Sequence, residues 1–119
     1  LVALGNQLDN VLEAEKILSE NQINAEVVYF NSITPFNDEI FVNSIKKTKN
    51  FLCVEELSKS GGLYEECLKS SSNINEIVKS EQIAIEDFIH DYGSYKQLSE
   101  IAGLTSENIV IKSKKLINR

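Results

Sequence analysis

The sequence predicts an α/β fold, a three-layer α/β/α sandwich around a mostly parallel sheet of four or five strands. Apolar strand-like runs alternate with helical patterns along all 119 residues, which implies right-handed crossovers between parallel strands. The opening run, Leu1–Leu4, is apolar at consecutive positions, as expected for a strand that helices cover on both faces. We therefore expect a single domain spanning residues 1–119.

The first helix is predicted to follow a break in the chain at Gly5-Asn6-Gln7. Asn6 can serve as its N-cap, because an asparagine side chain accepts hydrogen bonds from the first free backbone N–H groups of a helix. The residues predicted to face the core are Leu8, Val11, Leu12 and Leu18. The second strand is predicted over Ala25–Phe30, which is rich in residues that favour extended structure.

The second helix is predicted to begin after a connection that carries the only proline, Pro35. Asn37 or Asp38 can cap this helix. Its inward face is predicted to consist of Ile40, Phe41, Ser44 and Ile45. Its C-terminal end is basic, which suits the negative end of the helix dipole, and the lysines there are Lys46, Lys47 and Lys49.

The third strand is predicted over Phe51–Val54, followed by an acidic loop that begins with Glu55 and Glu56. The paired glycines Gly61 and Gly62 then open a third helix, whose apolar positions at helical spacing are Leu63, Tyr64, Cys67 and Leu68. The stretch Ser70–Asn73 is expected to end it. A fourth strand is predicted within Ile74–Ile85, although the polar residues Lys79–Gln82 weaken that pattern.

Two short helices are predicted to complete the chain. Ser94 and Gln97 have the spacing of a capping box, and the residues expected to face inward from this helix are Leu98, Ile101 and Ala102. Gly103 is expected to end it. Thr105 can cap the last helix, whose inward side is predicted to be Ile109, Ser113 and Leu116.

Composition excludes several classes of function. The net charge of −6 argues against a nucleic-acid-binding protein, which needs a basic surface. No apolar run approaches the roughly 20 residues that span a bilayer, and no signal peptide is visible. Cys53 and Cys67 lack the spacing of metal ligands, so we interpret both as small buried hydrophobic residues in a protein of the reducing cytoplasm. The chain contains no methionine and opens directly on a strand, so we expect it to be a piece of a longer polypeptide.

The chain offers few catalytic groups. Its only histidine, His90, lies in a polar segment and is interpreted as a surface or hydrogen-bonded residue. Glu55 and Glu56 are adjacent, and neighbours on an extended chain point to opposite sides. One of them is expected to accept hydrogen bonds from backbone or partner groups while the other is solvated. Gly5-Asn6-Gln7 and Gly61-Gly62 precede helices, but neither segment has the full phosphate-binding signature, and we interpret both as turn and packing glycines.

Several motifs together resemble a known family, the C-terminal domain of the transketolase superfamily of thiamine-diphosphate enzymes. The matching segments, in order, are Val2–Gly5, Phe30–Glu39, Val54-Glu55-Glu56 with Gly61-Gly62-Leu63, Asp87–Leu98 and Gly103-Leu104-Thr105. Within the superfamily, 1-deoxy-D-xylulose-5-phosphate synthase and transketolase are most similar. The residues Ile83–Asp87 depart from the Gly-Leu-Pro-Asp of the synthases, and the segment after Gly103 looks more like transketolase.

The resemblance implies a structural and assembly domain of a transferase that moves two-carbon units to an aldehyde phosphate. It implies that thiamine diphosphate and Mg²⁺ are bound by preceding catalytic domains, with no catalytic, cofactor-binding or metal-binding residue in this chain. The expected partners are those preceding domains and the second subunit of a homodimer. Glu55, Glu56, Gly61, Gly62 and His90 are carried forward only as motif or interface candidates.

Two other functions stay open. In 2-oxo-acid dehydrogenase β subunits, which are related, the equivalent domain helps to dock a partner, and the acidic balance of this chain could attract a basic partner. Alternatively, a small-molecule regulatory site could lie at the strand ends near Gly5 and Glu55, since parallel α/β sheets bind ligands where the strand order reverses.

Overall fold

The computed structural model describes residues 1–58, 61–85 and 93–118, with the side chains of residues 57 and 58 excepted. The strands are β1 (Val2–Leu4), β2 (Val28–Phe30), β3 (Asn50–Ser58) and β4 (Lys79–Ile85). The helices are α1 (Leu8–Glu20), α2 (Glu39–Thr48), α3 (Leu63–Ser72), α4 (Tyr95–Ala102) and α5 (Ser106–Ile117). The strands form a parallel sheet in the order β2-β1-β3-β4, which confirms the predicted fold class.

Two apolar cores lie on opposite faces of the sheet. Leu52 and Val54 of β3 pack with residues of α1 and α5, whereas Phe51 and Cys53 pack with α2 and α3 on the other face. The alternation follows from the two-residue period of a strand. It produces the three layers expected from the sequence, with both faces of the sheet covered.

The strand boundaries differ from the predicted ones. β2 is shorter than Ala25–Phe30, and β3 extends through Glu55 and Glu56, so the prediction of an acidic loop there was wrong. β3 gains this length because β4 pairs beside it from Asn50 to Ser58, with a shift of register after Val54. The same pairing places the polar stretch that begins at Lys79 inside β4, because neighbouring backbone groups offer hydrogen bonds that side-chain patterns do not reveal.

The start of α1 also differs from the prediction. Asn6 is not an N-cap, because it lies within a 3-10 turn formed by Gly5–Gln7, and α1 begins at Leu8. At the next helix Asp38 occupies the N-cap position of α2, but its side chain makes no capping hydrogen bond. It accepts one from the Ser70 hydroxyl of α3 instead, at 3.1 Å. The alternative residue, Asn37, does accept a hydrogen bond through its side-chain oxygen from the Glu39 backbone N–H at the start of α2, at 3.3 Å.

Three residues predicted to face the core are exposed instead. Each lies about 100° around the helix axis from a neighbour that is buried, or in α4 partly buried. In α1, for example, the small residue Ala14 takes the inward position. The exposed residues are Leu12, Ile40 and Ile101.

The predicted capping residues of the last two helices are confirmed. Ser94 and Gln97 form a reciprocal capping box at α4, with N–O distances of 3.2 and 2.9 Å. Gly103 ends α4 in the left-handed conformation, and the Thr105 hydroxyl accepts a hydrogen bond from the Asn108 backbone N–H at the start of α5.

We expect Ser94→Ala and Thr105→Ala each to lower the free energy of unfolding by about 1 kcal/mol, because each removes an acceptor for a free helical N–H group. Urea denaturation followed by circular dichroism measures the change. Ser19→Ala, at an exposed position of α1, is the matched control and should change stability by less than about 0.5 kcal/mol. An equal loss in all three variants would contradict the capping role.

Candidate functional site

The Glu55 carboxylate is the centre of the acidic and glycine-rich segment and is fully buried, with 0% of the residue exposed. Its Oε2 atom accepts a hydrogen bond from the Leu63 backbone N–H at 2.6 Å. Its Oε1 atom accepts one from the Tyr64 backbone N–H at 3.1 Å and one from Gln82 Nε2 at 2.9 Å. All of these partners are donors, so the carboxylate acts only as an acceptor.

Strand periodicity explains how Glu55 reaches α3. Glu55 lies two residues beyond Cys53, whose side chain packs in the core beneath α2 and α3, so both point to the same face of the sheet. The first N–H groups of a helix lack intrahelical partners, and an anion there interacts favourably with the helix dipole. The N-cap residue Gly62 has no side chain to cap α3, and Glu55 supplies that function from β3.

The two glycines meet different steric requirements. A Cβ atom added to Gly62 would lie 2.3 Å from Glu55 Oε2, so this position must remain without a side chain for the carboxylate to approach the helix. Gly61 has open space around it but adopts a φ of +76°, which strongly favours glycine. The spacing of the acidic pair and the glycines therefore allows the Glu55 carboxylate of β3 to cap the N-terminus of α3.

The surface members of this segment are Glu56, which is partly exposed, and Gly61, which is exposed. The structure agrees with the expectation that one of the adjacent carboxylates accepts backbone hydrogen bonds, and it identifies that carboxylate as Glu55. His90 lies outside the described residues. Gln82 is the site residue that sequence reasoning missed, and its only signal was a polar side chain within an apolar strand pattern.

The two thiols lie beneath the same turn. Cys53 and Cys67 are both buried and free, as predicted. A hydrogen bond with the Cys67 thiol, followed by burial, raises the pKa of Cys53 well above its ordinary value. A thiol that stays protonated is a poor nucleophile, so Cys53 acts here as a packed core residue.

The crevice where the strand order reverses lies between the ends of β1 and β3. Gln7, which follows β1, is fully buried there and donates to the Tyr95 hydroxyl of α4 at 3.3 Å. Asn6 donates to the same hydroxyl at 3.1 Å, and the Gln7 side-chain oxygen accepts from Asn10 at 3.1 Å. Side chains near Gly5 thus hydrogen-bond to one another across the turn after β1.

At the amino-terminal ends of the strands, a cavity of about 320 Å³ is lined by Glu26, Ser44 and Lys47 among other residues. The Lys47 ammonium and the Ser44 hydroxyl donate to the Glu26 carboxylate. These two hydrogen bonds, that of Lys47 first, lower the pKa of Glu26 from its ordinary value of 4.5.

We expect the stabilisation from the Glu26–Lys47 pair to be present above pH 4.5 and to disappear as the pH falls through the lower folded-state pKa, because protonation then breaks the ion pair. The comparison is between the native chain and Glu26→Gln in urea denaturation at neutral and acidic pH. The difference in unfolding free energy should shrink on acidification and with added salt, since both side chains are solvent-accessible. A difference that grows on acidification would contradict this assignment.

The described residues contain no cluster of candidate metal ligands. Within residues 1–58, 61–85 and 93–118, no three His, Cys, Asp or Glu side chains are grouped so that they could hold a metal ion such as Mg²⁺. The buried carboxylate of Glu55 is engaged by backbone and amide donors of the chain itself. Among the same residues, we find no helix with the length and hydropathy that a bilayer crossing requires.

Comparisons with known proteins agree on one family. The sequence model described as "Transketolase, C-terminal domain" matches residues 1–109. The 1-deoxy-D-xylulose-5-phosphate synthase of Alkaliphilus oremlandii is 32% identical over 116 residues, which cover 97% of this chain and 18% of the synthase. The mitochondrial pyruvate dehydrogenase E1 component subunit beta of Dictyostelium discoideum is 39% identical over 56 residues, 47% of this chain and 16% of that subunit.

A solved structure shows the same fold. It is a split-gene transketolase in an inactive β4 tetramer, and it matches this chain with a TM-score of 0.87 and 30% identity over 98% of this chain and 37% of its own. The chain thus spans less than a fifth of the two curated relatives and little more than a third of the solved one. The fold and the match along residues 1–109 establish that this chain belongs to the transketolase C-terminal domain family.

Proposed function

We propose that this chain is the C-terminal structural and assembly domain of a thiamine-diphosphate-dependent transferase of the 1-deoxy-D-xylulose-5-phosphate synthase or transketolase type. Such an enzyme moves a two-carbon ketol or acyl unit from a keto donor to an aldehyde phosphate. Family membership and the names of the relatives support the transferase class. The observation that carries the structural role is Glu55, a motif carboxylate whose hydrogen bonds all go to its own domain.

In this proposal, residues 1–119 form one domain of a longer cytoplasmic enzyme. Domains that precede this one hold thiamine diphosphate and Mg²⁺, as the family resemblance implies. This domain packs against those domains and against the second subunit of a homodimer. Glu56 and Gly61, which are accessible at the end of β3, are its motif candidates for such an interface, together with His90.

Calorimetry and a transfer assay test the proposal. The intact protein, purified with any companion chain that carries its other domains, should bind thiamine diphosphate with Mg²⁺ and transfer a two-carbon unit to an aldehyde phosphate. Residues 1–119 alone should produce no heat of binding with the cofactor and no turnover. Tight cofactor binding by residues 1–119 alone would reject the proposal, as would an intact protein that binds no thiamine diphosphate.

The similarity to a pyruvate dehydrogenase E1 β subunit favours a second candidate, a partner-docking domain. The net charge of −6 suits a basic partner, and the association should weaken as salt screens that attraction. Capture of a basic partner on the immobilised intact protein at low salt, with release at high salt, would support this role. Retention that salt leaves unchanged would count against it.

A further inference from the structure

Helix α4 differs from the other helices of the described residues in burying none of its residues. The other four each bury at least three. The side chains of Tyr95, Leu98, Ile101 and Ala102 nevertheless form one apolar stripe about 120° wide, given 100° per residue. Ile101 is 59% exposed and Tyr95 is 56% exposed, whereas Leu98 and Ala102 are partly buried and Ala102 packs against the core.

The position of α4 is fixed at both ends. The capping box closes its first turn, and Gly103 ends its last turn. The Tyr95 hydroxyl accepts hydrogen bonds from Asn6 and Gln7, and Asn10 donates to the Leu104 carbonyl just beyond the helix at 3.1 Å. An eight-residue helix is marginal on its own in water. These contacts hold the helix in place with Tyr95 and Ile101 exposed.

We propose that the apolar stripe of α4, formed by Tyr95, Leu98 and Ile101, is the surface on which the thiamine-diphosphate-binding part of the enzyme docks. This inference rests on the proposed function and adds to it the face that makes the contact. The matched relatives are much longer than this chain, which spans 18% of the synthase and 37% of the solved transketolase chain. Under the proposed function, the larger part of the enzyme lies outside these residues and packs against one of their faces.

The position and charge of the stripe favour that occupant. Tyr95 lies beside the turn after β1, at the same end of the sheet as Glu56 of β3. It is an uncharged surface on a chain of net charge −6. A permanent contact with a neighbouring domain is apolar at its centre, whereas a transient partner is attracted by charge.

Site-specific photo-crosslinking in the intact enzyme tests the inference. A photoreactive phenylalanine analogue replaces Ile101, or replaces Ile111 of α5 as the matched control, since Ile111 is 52% exposed. The crosslinked residues are identified by mass spectrometry. We expect crosslinks from position 101 to the domain that binds thiamine diphosphate, and few or none from position 111. Where the cofactor-binding part is a separate chain, Ile101→Asp should raise the dissociation constant between the two chains at least about tenfold, while Ile111→Asp should leave it unchanged.

The alternative outcomes overturn the inference. The inference fails if position 101 crosslinks only to residues 1–119 of the same chain or only to a second copy of this domain. It also fails if crosslinks from position 101 are no more abundant than those from position 111. The proposed function fails separately, because it requires only that the intact protein bind the cofactor and turn over. An enzyme that does both but shows no crosslink from position 101 would lose the docking face and keep its function.

Discussion

Glu55→Gln is expected to lower the free energy of unfolding by about 2–3 kcal/mol, although it preserves the size of the side chain. Backbone N–H donors face both oxygen atoms of the carboxylate, from Leu63 at Oε2 and Tyr64 at Oε1. In either orientation the new amide therefore points its NH₂ group at a buried donor and leaves it without an acceptor. Chemical denaturation gives the stability change, and hydrogen exchange at the Leu63 and Tyr64 amides gives its location.

Glu56→Gln is the matched control, because it makes the same chemical change at the adjacent, partly exposed residue. It should alter stability by less than about 0.5 kcal/mol and leave exchange at the start of α3 unchanged. Equal effects of the two substitutions would show that charge near β3, rather than the hydrogen bonds of Glu55, stabilises the turn. In the intact enzyme, neither substitution should change the affinity for thiamine diphosphate by more than about twofold, provided the protein stays folded.

Gly62→Ala is expected to lower the free energy of unfolding by about 1–3 kcal/mol through overpacking. The added methyl would lie 2.3 Å from Glu55 Oε2 and 2.8 Å from its Cδ atom, and that carboxylate cannot move without breaking its buried hydrogen bonds. The backbone of Gly62, with φ −101° and ψ −162°, suits any residue. The cost is therefore steric, and it should appear as a lower denaturation midpoint.

A double-mutant cycle isolates this clash. In a Glu55→Ala background the carboxylate is absent, so adding Gly62→Ala should lower the free energy of unfolding much less than it does in the native chain. Gly61→Ala is the control for backbone strain, since its φ of +76° disfavours alanine while the space around it is open. Its cost of about 1 kcal/mol should be the same in both backgrounds. Additive effects of Gly62→Ala and Glu55→Ala would contradict the proposed close approach.

The candidate site was predictable in part. The adjacent carboxylates and the paired glycines mark a segment of unusual geometry, and the two-residue period of a strand requires the carboxylates to diverge. Which of them turns inward depends on where α3 begins relative to β3. The contribution of Gln82 depends on the pairing of β3 with β4, in which Cys53 lies opposite Gln82. These relations join residues distant in sequence, so no local pattern contains them.

Short segments of the chain specify the alternation of strands and helices, the parallel sheet and the caps at Ser94 and Thr105, because periodicity and capping are local properties. The length of β3 and the apolar residues that each helix leaves exposed, such as Ile101 of α4, depend on the folded chain. Burial and strand pairing depend on what packs opposite a residue. That partner is chosen when the whole chain folds.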